Sequence, residues 1–193
     1  MSTVNAPFGL RPAFHPSGLD RAQALANGIA SGLASNILKG QAIKYSTATG
    51  VITPVTGTEA FSGAFAGCEF TDTTGRRRVS NIWPTGTTYQ TGSCIAYFYN
   101  DQNIVYEIQA NGVLAQTSLG DEANLTTADL AAGSTVTGLS QSTLSTTLVG
   151  TTVQGQMRIV DLAPLVDNAW GDAFTVVRAV VARSQFFGSV VAI

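Results

Sequence analysis

No stretch of this sequence sustains a long helical pattern; short runs of β-branched and aromatic residues recur instead between clusters of Gly, Pro, Asn, Asp, Ser and Thr. A chain punctuated in this way buries its apolar side chains on sheets, which predicts an all-β fold, a single sandwich or barrel-like domain. QAIKY, the turn residues STATG and VITPV (41–55) predict a hairpin, with Pro54 confining the second strand to an edge because it cannot donate to a ladder. AFSGAFAGCEF (60–70) reads as a strand whose small residues admit another backbone. RRRVSNIWP (76–84) reads as a strand stopped by Pro84. GSCIAYFYN and NIVYEIQA, joined by residues 100–103, predict a second hairpin. Its second strand alternates Ile104, Tyr106 and Ile108 with Val105, Glu107 and Gln109, the pattern of a half-buried strand. GQMRIVDLAP and AFTVVRAVVARS (155–164 and 173–184) are strand-like, and the Ser/Thr/Gly-rich stretch 113–155 suggests short strands or long loops.

The N-terminal part breaks this rhythm. In NAPFGLRPAFHPSGLD (5–20), Pro7, Pro12 and Pro16 each remove a backbone donor and push the preceding residue toward extended conformations, so no helix runs through it. Disordered termini carry too little apolar surface to bury, whereas this one holds Phe8, Leu10 and Phe14. The expectation is an extended arm over residues 1–36 ahead of a β domain over 37–193. Phe8, Leu10 and Phe14 either pack back on their own domain or, as the arm reading expects, anchor it on another chain, with Arg11 as a polar contact. Within the arm, Leu25, Ile29 and Leu33 recur every four residues and suggest a short helical turn, weakened by Gly28 and Gly32. At the other end, Phe186, Phe187, Val190 and Ile193 crowd an apolar tail that either ends as a strand in the protein's own core or is covered by a neighbouring subunit, and the latter reading expects a homo-oligomer.

Composition agrees with association. Only 11% of the 193 residues are charged and 45% are hydrophobic, against a usual charged share of about 25%. A formal net charge of −2 argues against general nucleic-acid binding, which needs excess Lys and Arg to neutralise phosphates. The N-terminal residues have no charged leader followed by an apolar run, and Arg178 interrupts the most apolar late stretch, so neither a secretory signal nor a membrane span is expected. Cys68 and Cys94 lack metal-ligand spacing and read as small buried hydrophobes of a reducing cytoplasm.

Signals for catalysis are sparse. His15, the sole histidine, lies between Phe14 and Pro16 with no carboxylate or cysteine near it in sequence. Asp101, Glu107, Asp121 and Glu122 show no spacing that sets two carboxylates in one site. GTTVQG (150–155) has the glycine spacing of a phosphate loop, but Gln156 and Met157 stand where that loop needs Lys and Ser or Thr. No catalytic residue, metal or cofactor is expected. Arg76, Arg77 and Arg78 form a basic cluster; alternation along a strand sends Arg77 to the face opposite Arg76 and Arg78. They are candidates for pairing with acidic groups of a partner through their guanidinium forks.

The segments NAPFGLRPAFHPSG, YNDQNIVYEIQANG, STVTGLSQSTLSTT and QMRIVDLAPLVDNAWGDAFTVV resemble, in that order, a family of small tailed-bacteriophage structural proteins, the capsid decoration or cement proteins. The resemblance covers most of the chain, and its motifs are structural rather than catalytic. It implies a β-rich domain made in the bacterial cytoplasm and assembled as trimers, favoured here, or dimers. It also implies a place on the outer face of the virion head, clamping the major capsid protein against the pressure of packaged DNA. Alternatives are another virion part, such as a major capsid or tail protein, or a receptor- or glycan-binding β-sandwich. Exposed Trp83, Tyr89 and Trp170 would be the signature of that last reading.

Overall fold

The computed structural model describes residues 2–18 and 22–186. It is nearly all β, with 40% strand and 3% helix. In chain order the strands are β1 (Arg11–Phe14), β2 (Gln23–Ala26), β3 (Ile37–Leu38), β4 (Ala42–Tyr45), β5 (Ile52–Pro54), β6 (Gly63–Thr71), β7 (Arg77–Ser80) and β8 (Ile82–Trp83). There follow β9 (Ile95–Tyr99), β10 (Val105–Gln109), β11 (Glu122–Leu125), β12 (Gly133–Ser134), β13 (Leu139–Ser140), β14 (Leu144–Leu148), β15 (Met157–Leu162) and β16 (Val176–Val181). One six-stranded sheet has the order β1-β10-β16-β15-β11-β14; the other runs β2-β9-β6-β4-β5, with β7 also paired to β6. Two short ladders, β3-β8 and β12-β13, complete the body. All pairings between these strands are antiparallel.

Alternation along the strands divides the apolar residues between two cores. Tyr106, Ile108, Val177, Ala179, Met157 and Ile159 line the inner face of the first sheet. Ala42 and Ala64 of the second sheet belong to that same core, while their neighbours Ile43 and Phe65 point the other way, into a second core with Trp83, Ala96 and Phe98. The second sheet is therefore apolar on both faces, which explains the nearly continuous apolar run in β6. Gly63 in β6 permits the closest approach. A Cβ there would stand 1.6 Å from the Tyr99 carbonyl oxygen, at a φ of +154°.

Several expectations hold. β4 and β5 form the first hairpin with Pro54 in an edge strand, 155–164 and 173–184 supply β15 and β16, and Pro84 follows directly after β8, although 76–84 is two strands, β7 on β6 and β8 on β3, and not one.

Others are corrected. The second hairpin does not exist, because β9 pairs with β2 and β6 while β10 pairs with β1 and β16. Residues 100–104 turn a corner between the two sheets. Asp101 holds that corner, its Oδ1 accepting from Asn103 N–H and its carbonyl from Ile104 N–H. Asn and Asp make such a corner as readily as a hairpin loop. Nor is β10 half-buried: all five of its residues are buried, and the face with Glu107 and Gln109 is covered by N-terminal residues and Arg178. The helical turn expected around Leu25 is strand β2 followed by turns, with Asn27 at a φ of +52°. Ile29 is fully buried in the second core, and Leu25 and Leu33 pack against it, so tertiary burial and not helical periodicity sets their spacing.

Candidate interaction surfaces

The N-terminal segment is not a free arm in residues 2–18: it lies along its own domain. Ser2 exchanges backbone hydrogen bonds with the loop 167–174, and the Gln109 side chain accepts from Ala6 N–H and donates to the Val4 carbonyl. Gly9, at a φ of +71°, passes the Gly40 carbonyl where an added Cβ would come within 2.7 Å of its oxygen. Leu10 N–H then donates to that same oxygen at 2.8 Å. β1 continues as the edge of the first sheet. Residues 1–36 therefore do not form a separate unit over the part described, and β1 and β2 belong to the two sheets.

This placement corrects the proposed anchors in part. Leu10 is 1% exposed and belongs to the first core, so it offers nothing to another chain. Phe8 is half-buried beneath the Arg11 guanidinium, 4.4 Å from the ring centroid, and Arg11 Nη2 contacts Glu107 Oε2 at 2.5 Å. Phe14 remains 42% exposed on the outer face, with the Arg178 guanidinium 5.2 Å from its ring.

The basic cluster finds carboxylates at home. Arg77 Nη2 lies 2.6 Å from Glu69 Oε2 and Arg78 Nε 3.0 Å from Asp72 Oδ2, while Arg76 contributes its backbone N–H to Asp72 Oδ1. The Thr74 hydroxyl, the Arg76 N–H and Arg78 together hold the Asp72 carboxyl well below the usual carboxylate range. The hydrogen bond from Arg77 lowers Glu69. Arg76 makes no ion pair among the described residues. Close by, Val79 is 75% exposed.

At the C-terminal end, Gln185 bonds both backbone groups of Tyr45, and Phe186, 57% exposed, packs edge-on to Tyr45 at 5.4 Å. Phe187, Val190 and Ile193 lie outside the described residues.

One constellation resembles catalytic machinery. His15 Nδ1 lies 2.6 Å from Ser17 Oγ, and His15 Nε2 is 3.2 Å from Asp101 Oδ2 without the alignment of a hydrogen bond. The order Ser-His-Asp is that of a nucleophile, base and orienting acid. Nucleophilic attack, however, also needs free N–H groups for the oxyanion. Ser17 N–H donates to the same His15 Nδ1, and Gly18 N–H donates to the His15 carbonyl. The arrangement closes a turn and joins it to the 100–104 corner.

The thiols of Cys68 and Cys94 are both buried, which pushes Cys68 up to about 12 and raises Cys94 as well. At pH 8 both are expected to resist a thiol-specific disulfide reagent in the native protein and to react fully once it is denatured, because the thiolate is the nucleophile. Stoichiometric labelling of the native protein would contradict this packing.

No group of three or more His, Cys, Asp or Glu among the described residues could hold a metal ion. Among the described residues, no helix is long and apolar enough to cross a membrane. Trp83 is fully buried, Trp170 packs partly buried against the first core, and Tyr89 donates its hydroxyl to the Ile29 carbonyl at 2.6 Å. None of the three stands free as a sugar-stacking platform. A groove of about 380 Å³ lies between the N-terminal segment and the second sheet, walled by Phe8, Leu10, Phe65 and Tyr99, with Arg11 and Lys39 also lining it.

A feature absent from any local motif appears on the outer face of the first sheet. Arg11 lies opposite Glu107, Glu107 opposite Arg178, and Arg178 opposite Asp161, so four strands contribute one row of alternating charge. One step over, Arg158 Nη2 contacts the fully buried Glu122 at 2.7 Å. No protein-family profile, curated protein or solved structure matches the chain.

Proposed function

We propose that the protein is an adhesive structural component of a virus particle, a decoration protein that binds the outer surface of a phage head and stabilises the shell. The observation that carries this reading is the state of its surface. Charge is scarce, and six Lys and Arg side chains among the described residues are tied to carboxylates of the same chain. Meanwhile Phe14, Val79, Val136, Val166 and Phe186 stand 42–102% exposed. Such a sparsely charged surface repels neighbouring copies and partners weakly, as close packing in an assembly requires. The resemblance of four ordered segments to capsid decoration proteins supplies the partner class, the major capsid protein. Function is then mechanical: many copies repeat a modest contact over the shell, and where subunits are linked each contact raises the effective concentration of the next.

Particles lacking the protein are expected to assemble yet release DNA at lower temperature, with added purified protein restoring the wild-type release temperature. Equal release temperatures with and without the protein would contradict the reading.

A further inference from the structure

Among the described residues β7 has one partner strand, β6, with Ser80 opposite Cys68, Val79 opposite Glu69, Arg78 opposite Phe70 and Arg77 opposite Thr71. Opposed pairs in an antiparallel ladder alternate between exchanging hydrogen bonds and exchanging none. The hydrogen bonds at the start of β7 fix which pairs are which. Asp72 N–H donates across the ladder to the Arg76 carbonyl at 2.9 Å. Thr71 turns the other way: its N–H donates to Ser93 Oγ at 3.1 Å and its carbonyl accepts from Gln90 N–H at 2.9 Å. Arg77 and Val79 therefore sit in the pairs that exchange nothing with β6, and their N–H and C=O groups point out along the open side of β7.

Nothing among the described residues bonds to those four groups. Nor are they covered by their own side chains, since Val79 is 75% exposed and the Arg77 and Arg78 side chains 71% and 54%. An open strand edge of this kind is a template for a further strand.

Charge selects the occupant. Exposed charges on an edge strand ordinarily keep other strands away. Here Glu69 and Asp72 offset Arg77 and Arg78, and residues 61–100 hold no charged side chain besides these four and Arg76, so the edge keeps a surplus of positive charge beside an exposed valine. Arg77 reaches Glu69 through Nη2 and Arg78 reaches Asp72 through Nε, which leaves other donors of each guanidinium for a second carboxylate. A second copy of β7 is a poor occupant: the register that pairs all four open groups, Arg77 opposite Val79, sets Arg78 beside Arg78, and like charges directly opposite are destabilising.

We infer that the open side of β7 is a docking edge for an acidic, extended segment of a partner protein, which adds to the second sheet as a further antiparallel strand. Backbone pairing with Arg77 and Val79 supplies the attachment, and side chains supply the choice of partner. Carboxylates of the segment fall opposite Arg76 and Arg78 on one face and opposite Arg77 on the other, and an apolar residue falls opposite Val79. This edge is a property of the chain by itself and does not rest on the shell reading.

The test titrates the full chain, labelled with nitrogen-15, with the capped peptide acetyl-Thr-Val-Glu-Glu-Glu-Thr-amide and follows the backbone amide signals. Saturable shifts centred on Arg77 and Val79 are expected, weakening as salt rises. N-methylation of the peptide's Val and middle Glu, the residues that pair with Val79 and Arg77, is expected to abolish binding, whereas N-methylation of the first and third Glu, on the far edge, leaves it. Replacing the three Glu by Gln is expected to weaken binding at least about threefold. Val79→Pro removes an N–H that faces solvent, a change edge strands tolerate, and is expected to weaken binding about tenfold. Circular dichroism establishes that this variant is folded; if it unfolds, the two methylated peptides decide. Absent or scattered shifts, equal binding of both methylated peptides, equal binding of the Gln peptide, or a folded Val79→Pro that binds as the wild type does would each overturn the inference. So would shifts of Arg77 and Val79 on concentrating the protein alone, which would put a second copy on the edge.

Discussion

Deleting residues 2–14 is expected to destabilise the β body severely, by roughly 5 kcal/mol or more, enough to unfold many domains of this size. Leu10 alone, 1% exposed in the first core, accounts for about 2–5 kcal/mol on truncation to alanine. The deletion also removes β1 from the edge of β10, takes Arg11 from Glu107, and leaves the Gln109 side chain without Val4 and Ala6. Glu107 is then a nearly buried carboxylate with one cation instead of two, and losing a partner from such a group is costly. Equilibrium urea unfolding of the truncated and full chains reads the difference. A truncated chain with an unchanged midpoint and slope would mean that the segment lies idle on the body.

Gly63→Ala is the second large effect, at about 4 kcal/mol or more. The added Cβ would stand 1.6 Å from the Tyr99 carbonyl oxygen, a backbone atom that no side-chain rotation can move, in the second sheet where β6 pairs with β4, β7 and β9. Relief requires β6 and β9 to separate, which disrupts both cores at once. The φ of +154° adds strain for any side chain. Gly150→Ala is the control, since nothing lies within 4 Å of its Cβ position, and its cost is expected to be within about 0.5 kcal/mol. Thermal unfolding of the two variants side by side gives the comparison; similar small shifts would refute the close approach at Gly63.

What the sequence revealed and what it hid follow from the distance between partners. The β4–β5 hairpin was legible because its turn residues and its edge proline are local. β6 was legible because small residues in an apolar strand announce a close backbone neighbour. The supposed hairpin at residues 92–110 failed for the opposite reason. Nothing local distinguishes a turn that returns a strand to its own sheet from one that passes it to the next, and the deciding pairings of β10 with β1 and β16 lie about 70 to 95 residues away. The N-terminal segment misled in the same way. Its prolines and aromatics correctly indicate an extended chain that needs a surface, but that surface, the edge of β10 and the Gly40 carbonyl, is in its own chain. The charge row is hidden altogether in the sequence. Its four residues come from four strands, and only the register of three ladders brings them into line.

The most direct measurement is an image reconstruction of particles carrying this protein, with symmetry imposed and then relaxed. Density for the β body is expected on the outer face of the head, in fixed ratio to the major capsid protein and bridging neighbouring capsid subunits. Density on the tail, inside the shell, or absent from the particle would contradict a role in decorating and stabilising the head.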